Sequence, residues 1–267
     1  MKKMPKKQVI VGVVLGLIVL LGGWWMLGRG GDSSDSAANQ RQRLSLPENV
    51  IDVADRPYLA IKPLADGRNI EIEVYDLKKE ATELEYEVEY QSGVSSLQGF
   101  QGVLELTNLP AIVTKLLGSC SAGGACSYHE DVKGGFFMGE FLGGDEPYAL
   151  RSDWKYIDNA DRDTAHSSKD AKFQIDGRTL AQQRYLVIFN SPGYPEDVPG
   201  EVVSEIYSLT SSGNLSGEAE LTIRANEEGE LQIAAWDGSE WTTYEGEVDG
   251  KMITATVDLA ELYVVIR

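Results

Sequence analysis

The chain has 267 residues, enough for one large domain or two ordinary ones once a membrane segment is set aside, and its formal net charge is −18. That charge is unevenly spread: Met1–Ser45 hold seven Lys or Arg against two acidic residues, so the part from Leu46 onward carries 17 basic and 40 acidic residues, a net −23. Phosphate backbones and anionic headgroups repel such a body, because affinity for them comes largely from Lys and Arg displacing counterions, and nucleic acid is excluded as an expected partner.

Residues 1–8 include Lys2, Lys3, Lys6 and Lys7 and read as a basic cytoplasmic tail. Residues 9–27, VIVGVVLGLIVLLGGWWML, contain no charge. A helix of this length, at about 1.5 Å per residue, spans a hydrocarbon core of about 30 Å. The lysines before the apolar run, and Asp32 and Asp35 after it, orient the N-terminus toward the cytoplasm, with Trp24 and Trp25 at the outer headgroup boundary. A cleaved signal peptide is the competing reading. It is disfavoured because the run is long, its exit is bulky, and Gly28-Arg29-Gly30 makes a poor cleavage site. Residues 28–45 are rich in Gly, Ser, Asp, Asn and Gln and read as a flexible linker that buries too little to order itself.

Beyond the linker, apolar and polar residues alternate with the period of half-buried strands. Ile70, Ile72 and Val74 alternate with Glu71 and Glu73, and Leu84, Tyr86, Val88 and Tyr90 with Glu85, Glu87 and Glu89. Further strands are expected over 58–61, 102–107, 134–142, 148–157, 184–190, 202–209, 219–225, 231–236, 241–248, 251–257 and 262–266. Asp66-Gly67, Asp237-Gly238 and Asp249-Gly250 supply turn signals between such runs. Only 109–117 and 180–183 carry helix-like spacing. The polar stretch DNADRDTAHSSKDA over 158–171 marks a boundary. The expected fold is therefore all-β: two antiparallel β-sandwich modules, 46–165 and 166–267, behind one N-terminal transmembrane helix. One larger sandwich with a long polar loop is the alternative. Residues 202–207, Trp236-Asp237-Gly238 and Val248-Asp249-Gly250 are generic strand and hairpin features and name no family.

Cys120 and Cys126 are the only cysteines, separated by Ser-Ala-Gly-Gly-Ala. Outside the cytoplasm two thiols this close are expected to form a disulfide that pins a small loop. Ser119, Tyr128 and His129 flank it and are candidate recognition residues, since a pinned loop binds with less ordering cost. His129 and His166 are the only histidines, and no Gly-x-Ser-x-Gly, P-loop or His-Glu-x-x-His is present, so no catalytic residue, metal site or cofactor is expected. Asp158, Asp161 and Asp163, near Asp153 and Asp170, lack the spacing of a calcium loop and read as a solvated turn. Two aromatic sets, Trp236 with Trp241 and Tyr244, and Tyr148 with Trp154 and Tyr156, are weighed as sugar-stacking platforms against core filling. The resulting expectation is a non-enzymatic envelope protein, bacterial in type, single-pass in the cell membrane with its body extracytoplasmic. Its expected partners are the lipid bilayer and an envelope or extracellular protein, with a ligand- or carbohydrate-binding receptor as the alternative.

Overall fold

Strand alternation over a sequence rich in Val, Ile, Tyr and Thr builds a protein of antiparallel sheets. A computed structural model describes residues 46–267; the expected tail (1–8), transmembrane helix (9–27) and linker (28–45) lie outside them. Among the described residues no helix is long and apolar enough to cross a membrane, and the helical segments are two 3-10 turns, Val53–Asp55 and Arg178–Gln182.

The first strands are β1 (Leu59–Pro63), β2 (Asn69–Val74), β3 (Glu83–Ser92), β4 (Ser96–Glu105), β5 (Ala111–Leu116), β6 (Gly118–Cys120) and β7 (Cys126–Tyr128). The middle of the chain supplies β8 (Gly134–Leu142), β9 (Tyr148–Asp158), β10 (Ala165–Ser167), β11 (Phe173–Asp176), β12 (Tyr185–Ser191) and β13 (Ile206–Ser211). The last are β14 (Glu218–Arg224), β15 (Gln232–Trp236), β16 (Trp241–Tyr244), β17 (Glu247–Asp249), β18 (Met252–Asp258) and β19 (Leu262–Ile266).

A nine-stranded sheet of order β16-β15-β19-β13-β12-β9-β8-β3-β4 organises the rest. A three-stranded sheet, β1-β2-β5, and a five-stranded sheet, β10-β11-β14-β18-β17, pack against it, and β6-β7 form a separate hairpin. The long sheet runs through residues on both sides of position 165, because β9 pairs directly with β12 from Trp154↔Phe189 to Asp158↔Tyr185.

Side chains of a strand alternate between faces, and β12 shows where each smaller sheet lies. Val187 and Phe189 enter a core with Leu59 and Ile61 of β1, Ile70 and Ile72 of β2, and Trp154 of β9. Leu186 and Ile188 enter a second core with Phe173 and Ile175 of β11, Leu221 of β14 and Ile253 of β18. The three-stranded and five-stranded sheets thus cover opposite faces of the central sheet, which is why YLVIF is apolar without interruption. A third cluster, with Tyr58, Ile206, Leu262 and Val264, buries the other parity of β19.

Local rules hold at the turns. Gly67 has φ +66°, and a Cβ there would come within 2.2 Å of the Tyr185 ring, so the β1–β2 turn is closed by the residue that tolerates both constraints. Asp66 Oδ1 accepts from the backbone N–H of Arg68 at 2.9 Å and of Asn69 at 3.0 Å, an Asx turn.

Several segments differ from expectation: the run 241–248 divides into β16 and β17 of different sheets, the strand expected over 102–107 begins at Ser96 as β4, and Phe173–Asp176 adds the unexpected β11. Residues 109–117, which carry helix-like spacing, form β5, paired with β2 from Asn69↔Leu116 to Val74↔Ala111. Consecutive β-branched Ile112, Val113 and Thr114 suit a pleated strand, and pairing with a buried neighbour overrides the apolar spacing. The polar stretch 158–171 is not all loop: Ala165–Ser167 pairs with β11 as the short edge β10. The other helix-like segment, 180–183, overlaps the 3-10 turn Arg178–Gln182.

Candidate functional site

A polar cleft of about 550 Å³ opens where β12 parts from β9. Their pairing ends at Trp154↔Phe189, so Arg151–Asp153 of β9 and Asn190 and Ser191 of β12 border the gap. The segment before β1 takes the vacated edge. Asn49 donates from its side-chain amide to the Arg151 carbonyl (2.9 Å) and accepts from the Arg151 N–H (3.0 Å), while its own N–H donates to the Ala149 carbonyl (2.9 Å). Asn49 has φ +58°, a conformation that Asn tolerates better than most residues.

Asp170 collects the donors of this cleft. Its Oδ2 accepts from the Tyr207 hydroxyl at 2.9 Å and from the Asn190 amide at 3.3 Å; its Oδ1 accepts from the Lys172 N–H at 3.2 Å and from the Ser168 hydroxyl. Burial alone pushes the Asp170 carboxyl up, but these four donors outweigh it and hold the group below the ordinary carboxylate value. Burial, with Asp170 alongside, raises the Tyr207 phenol, so the pair consists of a carboxylate and a protonated hydroxyl. Asn190 Oδ1 is buried and has no hydrogen-bond partner among the described residues.

Arg56, Arg151 and Lys172 line the same cleft as Asp153, Asp170 and Glu205. It is therefore locally balanced, in contrast to the −23 of the chain from Leu46 onward. No His or Cys lines it. Such a mixture of fixed donors and acceptors suits a neutral or zwitterionic polar molecule, not a phosphorylated one that the surrounding acidity repels.

Replacing Asp170 with Asn is expected to cost about 1–3 kcal/mol, because hydrogen bonds to a charged acceptor are lost around buried hydroxyls. A group with a depressed value contributes its full stability above its ordinary pKa, 3.8 here, and loses it as pH falls through the lower folded value. Thermal unfolding should thus show a constant gap between wild type and Asp170→Asn near neutrality, closing as pH drops below 3.8.

The cysteines form a disulfide, Cys120–Cys126, across the β6–β7 hairpin. They are directly opposed, with Ser119↔Ser127 and Gly118↔Tyr128 next in register. Ser119 Oγ lies 3.2 Å from Ser127 Oγ on the exposed hairpin. Tyr128 is 44% exposed and its ring lies 4.1 Å under the Arg68 guanidinium, a cation–π contact. His129 is not free in solvent: its Nδ1 is 2.8 Å from the Tyr90 hydroxyl and its backbone N–H donates to the Leu117 carbonyl at 2.9 Å. Burial pushes the Tyr90 phenol up to about 12, so it keeps its proton for that bond. His129 fixes the hairpin base to the first core, and Tyr128 stands outside it.

The aromatic sets resolve by strand parity. Tyr148, Trp154 and Tyr156 share a face of β9 and are buried in the first core. Trp241 and Tyr244 are three apart on β16 and point to opposite faces: Trp241 packs at a tilt of 53° on Trp236, with centroids 5.5 Å apart, against the third cluster, while Tyr244 packs on the second core. Neither full set lies together on one open face. Asp153 is paired with Lys169 at 2.7 Å and Asp158 with Arg184 at 2.8 Å. Among the described residues no group of three or more His, Cys, Asp or Glu is placed to hold a metal ion. His166 sits on β10 with Nε2 buried and unpartnered among the described residues, and burial lowers its pKa.

These features define a sandwich-like, all-β protein with an exposed disulfide hairpin and one balanced polar cleft. Compared with protein-family models, curated proteins and solved structures, the chain gives no match.

Proposed function

We propose that this chain is a non-enzymatic interaction module of a bacterial-type envelope, anchored by a transmembrane helix over 9–27 with its body held outside the cytoplasm. The observation that carries the reading is the Cys120–Cys126 bond at an exposed hairpin tip. A disulfide open to solvent persists in oxidising compartments and is reduced in the cytosol. The uncharged run beginning at Val9 and the lysines before it support the same topology. In this reading the two sandwich modules, 46–165 and 166–267, each contribute strands to one shared central sheet. The partner is a protein that meets the pinned hairpin, whose tip has its ordering cost already met, with Tyr128 and Arg68 as its stacked amphipathic contact.

A photo-crosslinking residue in place of Tyr128 tests this in intact cells. A discrete adduct, lost when Arg68 and Ser127 are both replaced by Glu, is expected; equal crosslinking from a position such as Ser239, far along the chain, would remove the hairpin from consideration.

The cleft favours a second reading, a receptor for a small polar ligand. Binding of a neutral saccharide or short zwitterionic peptide that is abolished by Lys172→Glu, with unfolding unchanged, would make the cleft the primary site.

A further inference from the structure

We propose that β4 is an interface, and that its occupant is β4 of a second copy of this chain, paired antiparallel so that two nine-stranded sheets become continuous.

An edge strand exposes unpaired backbone N–H and C=O groups, and proteins blunt such edges with short length, charge, proline or bulges. The other sheet ends follow that pattern. β10 and β17, the ends of the five-stranded sheet, have three residues each, and β16, the far end of the long sheet, has four. β1 carries Lys62 and Pro63, and β5 carries Lys115. β4 does not follow it. It is ten residues long, ends the nine-stranded sheet, and pairs with β3 in unbroken register from Ser92↔Ser96 to Glu83↔Glu105, without a bulge. From Gln91 to Leu104 there is neither a charge nor a proline, in a chain that is 25% charged.

The exposed apolar residues point to the same edge. Leu97 is 66% exposed and Val103 56% exposed, and both lie on the outer face of β4. Centring a two-fold axis on Phe100 sets Leu97 opposite the second copy's Val103, and Val103 opposite its Leu97. Both exposed side chains are then covered by directly opposed cross-strand pairs. Phe100, which packs between Tyr86 and Tyr90 on the inner face, meets its own counterpart. The one charged residue, Glu105, falls opposite uncharged Ser95.

Charge selects the occupant. The chain from Leu46 onward carries −23, so two copies repel one another wherever acidic faces meet. At β4 the nearest acidic row, Glu83, Glu85, Glu87 and Glu89, lies one strand in. The two rows are then separated by three strand spacings, about 14 Å, beyond the ~8 Å screening length at physiological salt. An uncharged self-complementary strand is the approach that an acidic chain offers to itself.

Sedimentation of the full chain in detergent tests this. A reversible dimer is expected, strengthened by added salt because the residual force is repulsion. Leu97→Lys together with Val103→Lys places lysine opposite lysine at both pairs and should weaken the dimer about tenfold or more. Leu97→Lys together with Val103→Glu, which sets the introduced lysine against the introduced glutamate, should restore it. Unchanged thermal unfolding of these exposed-site variants keeps the comparison valid. A monomeric wild type, a dimer indifferent to the paired lysines, or a charge swap that restores nothing would each overturn the proposal.

Discussion

Expressed as separate chains, residues 46–165 and 166–267 are expected to remain unfolded, and to regain structure only when produced together. The first core lacks a wall without Val187 and Phe189, which β12 supplies from beyond position 165. β9 would lose its partner along Trp154–Asp158, leaving the backbone N–H and C=O groups of a strand that carries buried Trp154 and Tyr156 unpaired at a new edge. The polar bonds cross the same line: Thr210 donates to the Ile61 carbonyl at 2.6 Å and Ser191 to the Leu59 carbonyl at 2.9 Å. Circular dichroism and amide dispersion of each fragment measure the outcome. Two fragments that each fold and melt cooperatively would show the shared sheet to be dispensable.

The second large effect is at Trp154. This side chain is 0% exposed, touches Tyr90 edge-on with centroids 6.2 Å apart, and donates from its indole N–H to the Glu89 carbonyl at 3.2 Å. Trp154→Ala is expected to cost about 3–5 kcal/mol, through lost transfer energy and the cavity left behind. A cost of that size is a large fraction of the stability of an ordinary domain, so the variant should unfold at much lower denaturant. Wild-type stability with altered ligand binding would instead return Trp154 to the role of a surface platform.

The architecture was legible in the sequence to the extent that one face of each strand is wet. The Glu-alternating β3 and the run Gly134–Leu142 are such cases, and the second matches β8 at both ends. Where both faces are buried, alternation vanishes, and the sharing of β12 between two cores could not be read from YLVIF. Short elements escape for another reason. β6, β7 and β10 have three residues each, too few to show a period, and β5 carried apolar spacing that suited either structure. The disulfide was readable because its partners are close in sequence. The cleft was not: Asn49, Arg151, Asp170, Asn190 and Tyr207 are brought together by the sheet, and none stands in a motif. Asp170 in particular belonged by sequence to an acidic turn, and only its four donors distinguish it from a solvated carboxylate. The aromatic residues of β9 were ambiguous in composition but not in parity, since positions 148, 154 and 156 fall on one face.

The hairpin thiols offer the most direct check on where this protein works. Intact cells are quenched in acid, and free thiols of the full chain are then blocked with a mass-tagged maleimide under denaturing conditions, with and without prior reduction. The account predicts that Cys120 and Cys126 take up the tag only after reduction, in protein recovered from the membrane fraction. Both cysteines tagged without reductant would place the hairpin in a reducing compartment and contradict an extracytoplasmic body.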